Sequence, residues 1–217
     1  QPRAEHTATV LNNGNVLVTG GTGGPTKPAL SSAELLDYQT ETWHPASGMQ
    51  DARSLSTATL LTSGKVLVAG GRDAQGMALS SSEVYDPESD TWSRASDMNQ
   101  GRMFHTSTLL YDGRVLVTGG SAEPLIMDPW IDIFDARLGI LGEGKTLASV
   151  EIFDPTTGAW TTLQDMGIAR KAHTATILPD GVVLVVGGTT LSGSPTSSFE
   201  LYDPTSQTDT NDSTSTP

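Results

Sequence analysis

A short apolar strand running into two glycines occurs four times in this chain. The copies are Val16-Leu17-Val18-Thr19-Gly20-Gly21, Val66-Leu67-Val68-Ala69-Gly70-Gly71, Val115-Leu116-Val117-Thr118-Gly119-Gly120 and Leu184-Val185-Val186-Gly187-Gly188. Taken alone, the first copy, with Thr22-Gly23-Gly24 behind it, looks like the start of a dinucleotide-binding turn. That turn needs a helix directly after the glycines, whose free N–H groups hold the pyrophosphate. Here Pro25 and Pro28 follow, with Thr26 where a third glycine would sit, and proline is not tolerated deep in a helix's first turns. A chain of 217 residues also has no room for four nucleotide sites. The recurrence therefore points to a repeat architecture.

Aligning the diglycines aligns their surroundings. Arg3, Arg53, Arg102 and Arg170 each stand 17 residues before the first glycine of a pair. Three residues after each arginine comes His6, Ser56, His105 or His173, followed by Thr-Ala-Thr or a near copy. Beyond the glycines come Glu34, Glu83, Glu151 and Glu200, and nine residues past the first three of these stand Trp43, Trp92 and Trp160.

Each unit reads as four short strands. The first two are joined at Asn13-Gly14, Ser63-Gly64, Asp112-Gly113 or Asp180-Gly181, sequences that tolerate the positive φ of a tight hairpin. The second strand is apolar without alternation, so both of its faces should be buried. No stretch of useful length has helical periodicity. Twisted four-stranded meanders packed face to face would bury that strand, which predicts an all-β propeller. The blades fall at about residues 3–50, 51–99, 100–167 and 168–204, the last one incomplete for want of a Trp strand. Residues 205–217 are Ser, Thr, Asp and Pro, a polar tail or linker too poor in apolar surface to order itself.

Strand-Gly-Gly, then Glu-x-Tyr-Asp-Pro (Glu83 to Pro87, Glu200 to Pro204), then Trp, resembles the kelch repeat. The resemblance covers the chain up to Pro204. It implies that the diglycine ends the second strand where a side chain would crowd a neighbour. It also implies a ring of more than four blades, so four would leave apolar faces and strand edges open. Further blades in a longer chain, self-association to complete a ring, or an unusual four-blade closure are the expected remedies, the first two favoured over the third.

The third unit is longer than the others, with an extra segment over 121–147. Within it, Ile131 to Gly139 resembles Val150 to Gly158 displaced by 19 residues. The spacing to Arg170 predicts that 150–162 forms the blade's outer hairpin, with 125–141 a decayed copy beside it or an ordinary long loop. Met127, Trp130, Ile131 and Ile133 make the segment too apolar to hang free, so they are candidate partner contacts.

The kelch resemblance extends to copper radical oxidases of the galactose oxidase type, whose copper-binding Tyr-His pair falls at Phe104-His105. The chemistry does not transfer: Phe104 has no phenol, Ala172 precedes His173, and no cysteine is available for a cross-linked tyrosine. His6, His105 and His173 remain candidates for metal or ligand at converging inner-strand positions. The other reading is one hydrogen bond per blade to a neighbouring backbone. The four arginines either pair with the four glutamates to brace blades or line a mouth for an acidic ligand. Asp37, Asp86, Asp154 and Asp203 precede turns and read as turn residues.

A net charge of −13 argues against nucleic acid or anionic membrane as partner. No apolar run approaches the roughly 18 residues of a membrane span. A chain opening at Gln1 is expected to be a processed or excised product, and the Ser/Thr tail suggests a linker in an extracellular or cell-surface protein. The expected function is a non-enzymatic module, without cofactor, that binds a protein or glycan through its loops. The alternatives are part or a remnant of a secreted copper oxidase, and a structural element whose blade faces stack.

Overall fold

The computed structural model describes residues 1–24, 27–122, 145–205 and 209–210. Among these there is no helix, and sixteen strands form four antiparallel sheets of four in simple sequential order. The first sheet holds β1 (Thr7–Val10), β2 (Val16–Thr19), β3 (Ala33–Asp37) and β4 (Thr42–Ala46). The second holds β5 (Thr57–Leu60), β6 (Val66–Ala69), β7 (Ser82–Asp86) and β8 (Thr91–Arg94). The third holds β9 (Thr106–Leu109), β10 (Val115–Thr118), β11 (Val150–Asp154) and β12 (Ala159–Thr162). The fourth holds β13 (Thr174–Ile177), β14 (Val183–Val186), β15 (Phe199–Tyr202) and β16 (Asp209–Thr210).

The hairpin between the first two strands of each blade has one geometry. In the first blade the Gly14 N–H donates to the Leu11 carbonyl and the Leu11 N–H to the Asn15 carbonyl. Gly14 takes φ +87° while Asn13 stays at negative φ. The loop is thus three residues ending in a bulge glycine, not a two-residue turn. At the other hairpin the aspartates cap the chain. Asp37, Asp86, Asp154 and Asp203 each accept the N–H two residues on, at 2.8 to 3.0 Å.

The outer hairpin of the third blade is β11–β12, with Val115 opposite Phe153 and Phe153 opposite Trp160. The candidate contacts Met127, Trp130, Ile131 and Ile133 lie outside the described residues. Of the expected tail, residues 206–208 and 211–217 lie outside the described residues. Asp209 and Thr210 pair with Tyr202 and Leu201 to supply a fourth strand. The edge of β15 offers backbone groups, and pairing with them asks no apolar side chain of its partner.

The core lies between blades. Leu17 and Ala33 of the first blade pack on Val66, Val68 and Tyr85 of the second. Leu67 of the second packs on Val115 and Phe153 of the third. Leu116, Val150 and Ile152 of the third pack on Val183, Val185 and Tyr202 of the fourth. Full burial of each such side chain contributes about 1.5–3 kcal/mol. The middle strand feeds the joints on both of its sides, which is why Val66, Leu67 and Val68 are all buried.

The innermost strands β1, β5, β9 and β13 touch one another in chain order, and no comparable contact joins β13 back to β1 among the described residues. The blades form an open arc, and its end faces show it. Val10 and Trp43 in the first blade are 61% and 54% exposed, and Val186 and Phe199 in the last are 38% and 37% exposed. Trp160, by contrast, is only partly exposed, packs its ring at a 46° tilt on Phe153 with centroids 5.1 Å apart, and donates its indole N–H to Ser82 Oγ in the preceding blade at 3.1 Å. In urea titrations Trp160→Ala is expected to lower stability by about 3 kcal/mol, and Trp43→Ala by less than about 1 kcal/mol. Equal losses would mean that the two faces are equally covered.

Candidate functional site

The repeated charged residues meet at each joint. Arg53 arrives on the linker from the first blade and enters the second. Its Nη1 donates to the carbonyls of Gly70 and Ser81 at 2.8 and 3.0 Å, and its Nη2 to Ser81 Oγ and Glu83 Oε1 at 3.2 and 2.9 Å. Its backbone carbonyl turns the other way and accepts the Gly21 N–H of the first blade at 2.8 Å. One residue therefore holds two blades. Arg102 repeats this with Gly119, Ser149 and Glu151, and its carbonyl takes the Gly71 N–H. Arg170 repeats it with Gly187, Ser198 and Glu200, and its carbonyl takes the Gly120 N–H.

The glutamates complete the latch. Glu83 accepts the N–H groups of Gln50 and Asp51, and Glu200 those of Gly167 and Ile168, all in the linkers that precede the arginines. In the first blade Glu34 binds Arg3 Nη2 at 2.6 Å and the terminal amino group of Gln1 at 2.9 Å. Hydrogen bonds from these two cations hold the Glu34 carboxyl below its ordinary value, the amino group acting more strongly. Burial lowers the Arg53 and Arg102 guanidiniums below their usual range, opposed by Glu83 and Glu151.

The diglycines fit this joint. A Cβ on Gly70 would lie 2.6 Å from the Arg102 carbonyl oxygen and 3.2 Å from the Met98 methyl group. Met49 and Met166 stand at the same place in the other joints. Each is four residues before its arginine, a spacing legible in the sequence but easily passed over because methionine suggests no chemistry. The residue two after each arginine (Glu5, Leu55, Phe104 or Ala172) has φ between +52° and +57°. For Leu55 and Phe104 that is a costly conformation. It presents the Glu5 carbonyl to the Leu55 N–H and the Phe104 carbonyl to the Ala172 N–H, blade to blade.

These positions correct the reading of an arginine-lined mouth. Arg53, Arg102 and Arg170 are fully buried, and Arg3 keeps only 4% of its side chain exposed. None of them is open to an acidic ligand. The histidines do not converge either. His105 bonds Thr57 Oγ1 of the second blade through Nε2 at 3.0 Å. His173 bonds Thr118 and Thr106 of the third blade at 2.9 and 3.1 Å. His6 is exposed and has no hydrogen-bond partner among the described residues. No group of three His, Cys, Asp or Glu side chains suited to a metal occurs among the described residues.

Antiparallel order places the β2–β3 type loops and the linkers at one end of every blade, and the hairpin turns at the other. The turn end carries Asp37, Asp86, Asp112, Asp154, Asp180 and Asp203. The loop end carries the exposed apolar tips Met77 and Leu191, at 50% and 62%. It also holds Arg72, which bonds Ser54 Oγ and Glu5 Oε2 at 2.9 Å each and so crosses to the first blade.

The KLHDC2/KLHL20/DRC7 kelch-repeats domain family model matches residues 5–216. The chain belongs to the kelch-repeat family. A solved structure titled "Structure of YjhT" is similar at 19% identity and a TM-score of 0.69, over 94% of this chain and 63% of that one. The chain thus spans less than two thirds of that structure's length. No curated protein matches. Neither the family match nor the side-chain geometry supports the copper-oxidase alternative.

Two outcomes test the kelch joint. Arg102→Ala strands Glu151 in a dry site and is expected to cost about 3–5 kcal/mol in urea unfolding, whereas Arg114→Ala, whose partner Asp112 is solvent-exposed, costs less than about 1 kcal/mol. A loss at Arg102 no greater than at Arg114 would contradict the latch.

Protonation is the second. Burial, with the Arg102 charge adding to it, pushes His105 down to about 3. Burial and Arg170 push His173 down to about 4. Both are neutral in the folded chain at pH 5, while the unfolded chain takes up their protons below about 6.5. Stability is therefore fully present above 6.5 and is lost as pH falls toward the folded values. Each histidine accounts for about 2 kcal/mol between pH 7 and 5. His105→Gln should flatten the pH dependence of Tm in that window, and an unchanged slope would show that the ring is not buried neutral.

Proposed function

We propose that this chain is a non-enzymatic kelch module that binds a protein partner through its loop end. The observation that carries this reading is how the side chains are shared out. The arginines and glutamates are taken up by the joints or by pairing within a blade, His105 and His173 by the joints, and what remains at the loop end differs from blade to blade. Met77 and Leu191 are large apolar groups held out into solvent there. Loops on a rigid scaffold carry recognition because they can vary without disturbing the core. Exposed apolar side chains rimmed by polar ones are what a partner buries.

The turn end, rich in aspartate, repels acidic partners and orients approach toward the loops. Hydrolytic or transfer chemistry needs a nucleophile and a base within reach of one another, and the hydroxyls that His105 and His173 reach, those of Thr57, Thr106 and Thr118, are held with them between the blades. Affinity capture with the intact chain tests the proposal. Met77→Asp with Leu191→Asp should reduce recovery of a captured protein at least tenfold, while Tyr111→Ser at the turn end leaves it unchanged. The reverse pattern would move the binding surface to the turn end.

A further inference from the structure

The joints between blades are built alike but differ at one position. The joint between the second and third blades holds the imidazole of His105, and that between the third and fourth holds His173. The joint between the first and second blades has Ser56 instead. The backbone does not register the change. A Cβ on Gly71 would lie 3.0 Å from the Ser56 Cβ, and those on Gly120 and Gly188 would lie 2.9 and 2.8 Å from the His105 and His173 Cβ atoms. Serine carries a single oxygen beyond that point where histidine carries a whole ring.

The walls around the missing ring are in place. In the two filled joints the imidazole Cε1 comes within 2.8 Å of where a Cβ on Gly70 or Gly119 would stand, with the Met98 or Met166 methyl group at 3.2 Å. Beside Gly20 the Met49 methyl keeps its position at 3.3 Å, and the other nearest atoms belong to Arg53. The Thr7 and Thr19 hydroxyls bond each other at 2.7 Å. Thr106 and Thr118 do the same at 2.7 Å, and there the pair also holds His173 Nε2 at 3.1 and 2.9 Å. Two hydroxyls bonded to each other share one hydrogen, so the Thr7–Thr19 pair keeps its second for another acceptor. Ser56 is half-buried where His105 and His173 are each 6% exposed, so the space opens to solvent. The Ser56 hydroxyl has no hydrogen-bond partner among the described residues.

We propose that this joint is a binding site for an imidazole ring, entered beside Ser56 and ending on the Thr7–Thr19 hydroxyl pair. One ring nitrogen takes the position of His173 Nε2 against the two hydroxyls. The other meets the Ser56 hydroxyl, a partner that the protein's own rings lack, since Nδ1 of His105 and of His173 is buried with none among the described residues. The carbon between the nitrogens faces Gly20, as the Cε1 atoms of His105 and His173 face Gly70 and Gly119. Burial and the Arg170 charge keep His173 neutral, and Arg53 holds the matching place here, so the neutral ring is the form bound. The ring can belong to a free azole or to a histidine side chain of a partner. The site follows from the joint geometry and does not depend on recognition at the loop end.

Titration of the 217-residue chain with imidazole at about pH 8, above the ring's own titration, tests the site by amide NMR. Saturating shifts are expected at Thr19, Gly20 and Ser56 with a midpoint of about 1–10 mM, the range open to so small a ligand. Thr118 and Gly119 of the filled joint should stay still. Ser56→His sets a ring in the space covalently and should abolish binding while raising Tm. Thr19→Val keeps the shape, removes one hydroxyl and should weaken binding about threefold to tenfold. Shifts by N-acetylhistidine methylamide at the same amides show that a partner's side chain reaches the site, and shifts by imidazole alone assign it to a small molecule.

Shifts that stay proportional to imidazole, or that saturate equally in Ser56→His, overturn the proposal. If neither variant folds, the unaltered chain decides. Shifts confined to the Ser56 joint support the site, and equal shifts at Thr118 and Gly119 overturn it.

Discussion

The structure depends on an arginine whose backbone serves one blade and whose side chain serves the next. The carbonyl of Arg53 takes an amide from the first blade's diglycine, and its guanidinium closes on the second blade's diglycine and Glu83. A buried ion pair is weak evidence of net stabilisation, because desolvation of both charges opposes their attraction. Its service here is positional. The planar fork reads two carbonyls, a hydroxyl and a carboxylate at once, and only one placement of the incoming linker satisfies all four. The cost is visible too, since the Nε of each of these arginines finds no partner among the described residues.

Everything else in a joint follows from that placement. The arginine carbonyl sits so close that only glycine fits opposite it. The αL residue two positions on turns the chain into the inner strand and hands a carbonyl to the following blade. The apolar faces then meet in register, Leu67 against Val115 and Leu116 against Val185. Because the main strand contacts between blades join chain neighbours among the described residues, stability is close to a sum of blade and joint terms, and the terminal faces are where such an arc is weak.

Much of this was legible in the sequence, for reasons that can be named. The recurrence at fixed spacing of strand, diglycine, Arg, Glu and Trp betrays a repeat, and unalternating strands such as Val66-Leu67-Val68 betray burial on two sides. Whether the arginines faced a ligand or a carboxylate was not legible, because four Arg and four Glu in register fit both until their separation is known. The hairpin loop is one residue longer than its Asn-Gly signal suggests, since a bulge glycine and a type I′ glycine look alike in sequence. Met49, Met98 and Met166 fill space under a glycine, and packing of that kind carries no motif. The β16 pairing joins backbone groups to the edge of β15, which composition does not register.

The same logic separates scaffold from recognition. A residue that returns in every blade is explained by the joint, so repetition counts against a binding role at that position. His105 and His173 illustrate this, since the Nε2 of each is held by threonine hydroxyls of the preceding blade while its Nδ1 is buried without a partner among the described residues. Residues that occur once are the ones the joint leaves unexplained. Arg72 bridges two blades where its counterparts are Thr22, Ser121 and Thr189, and it steadies the loop whose tip is Met77. A repeated scaffold thus marks its recognition surface by where the repetition stops.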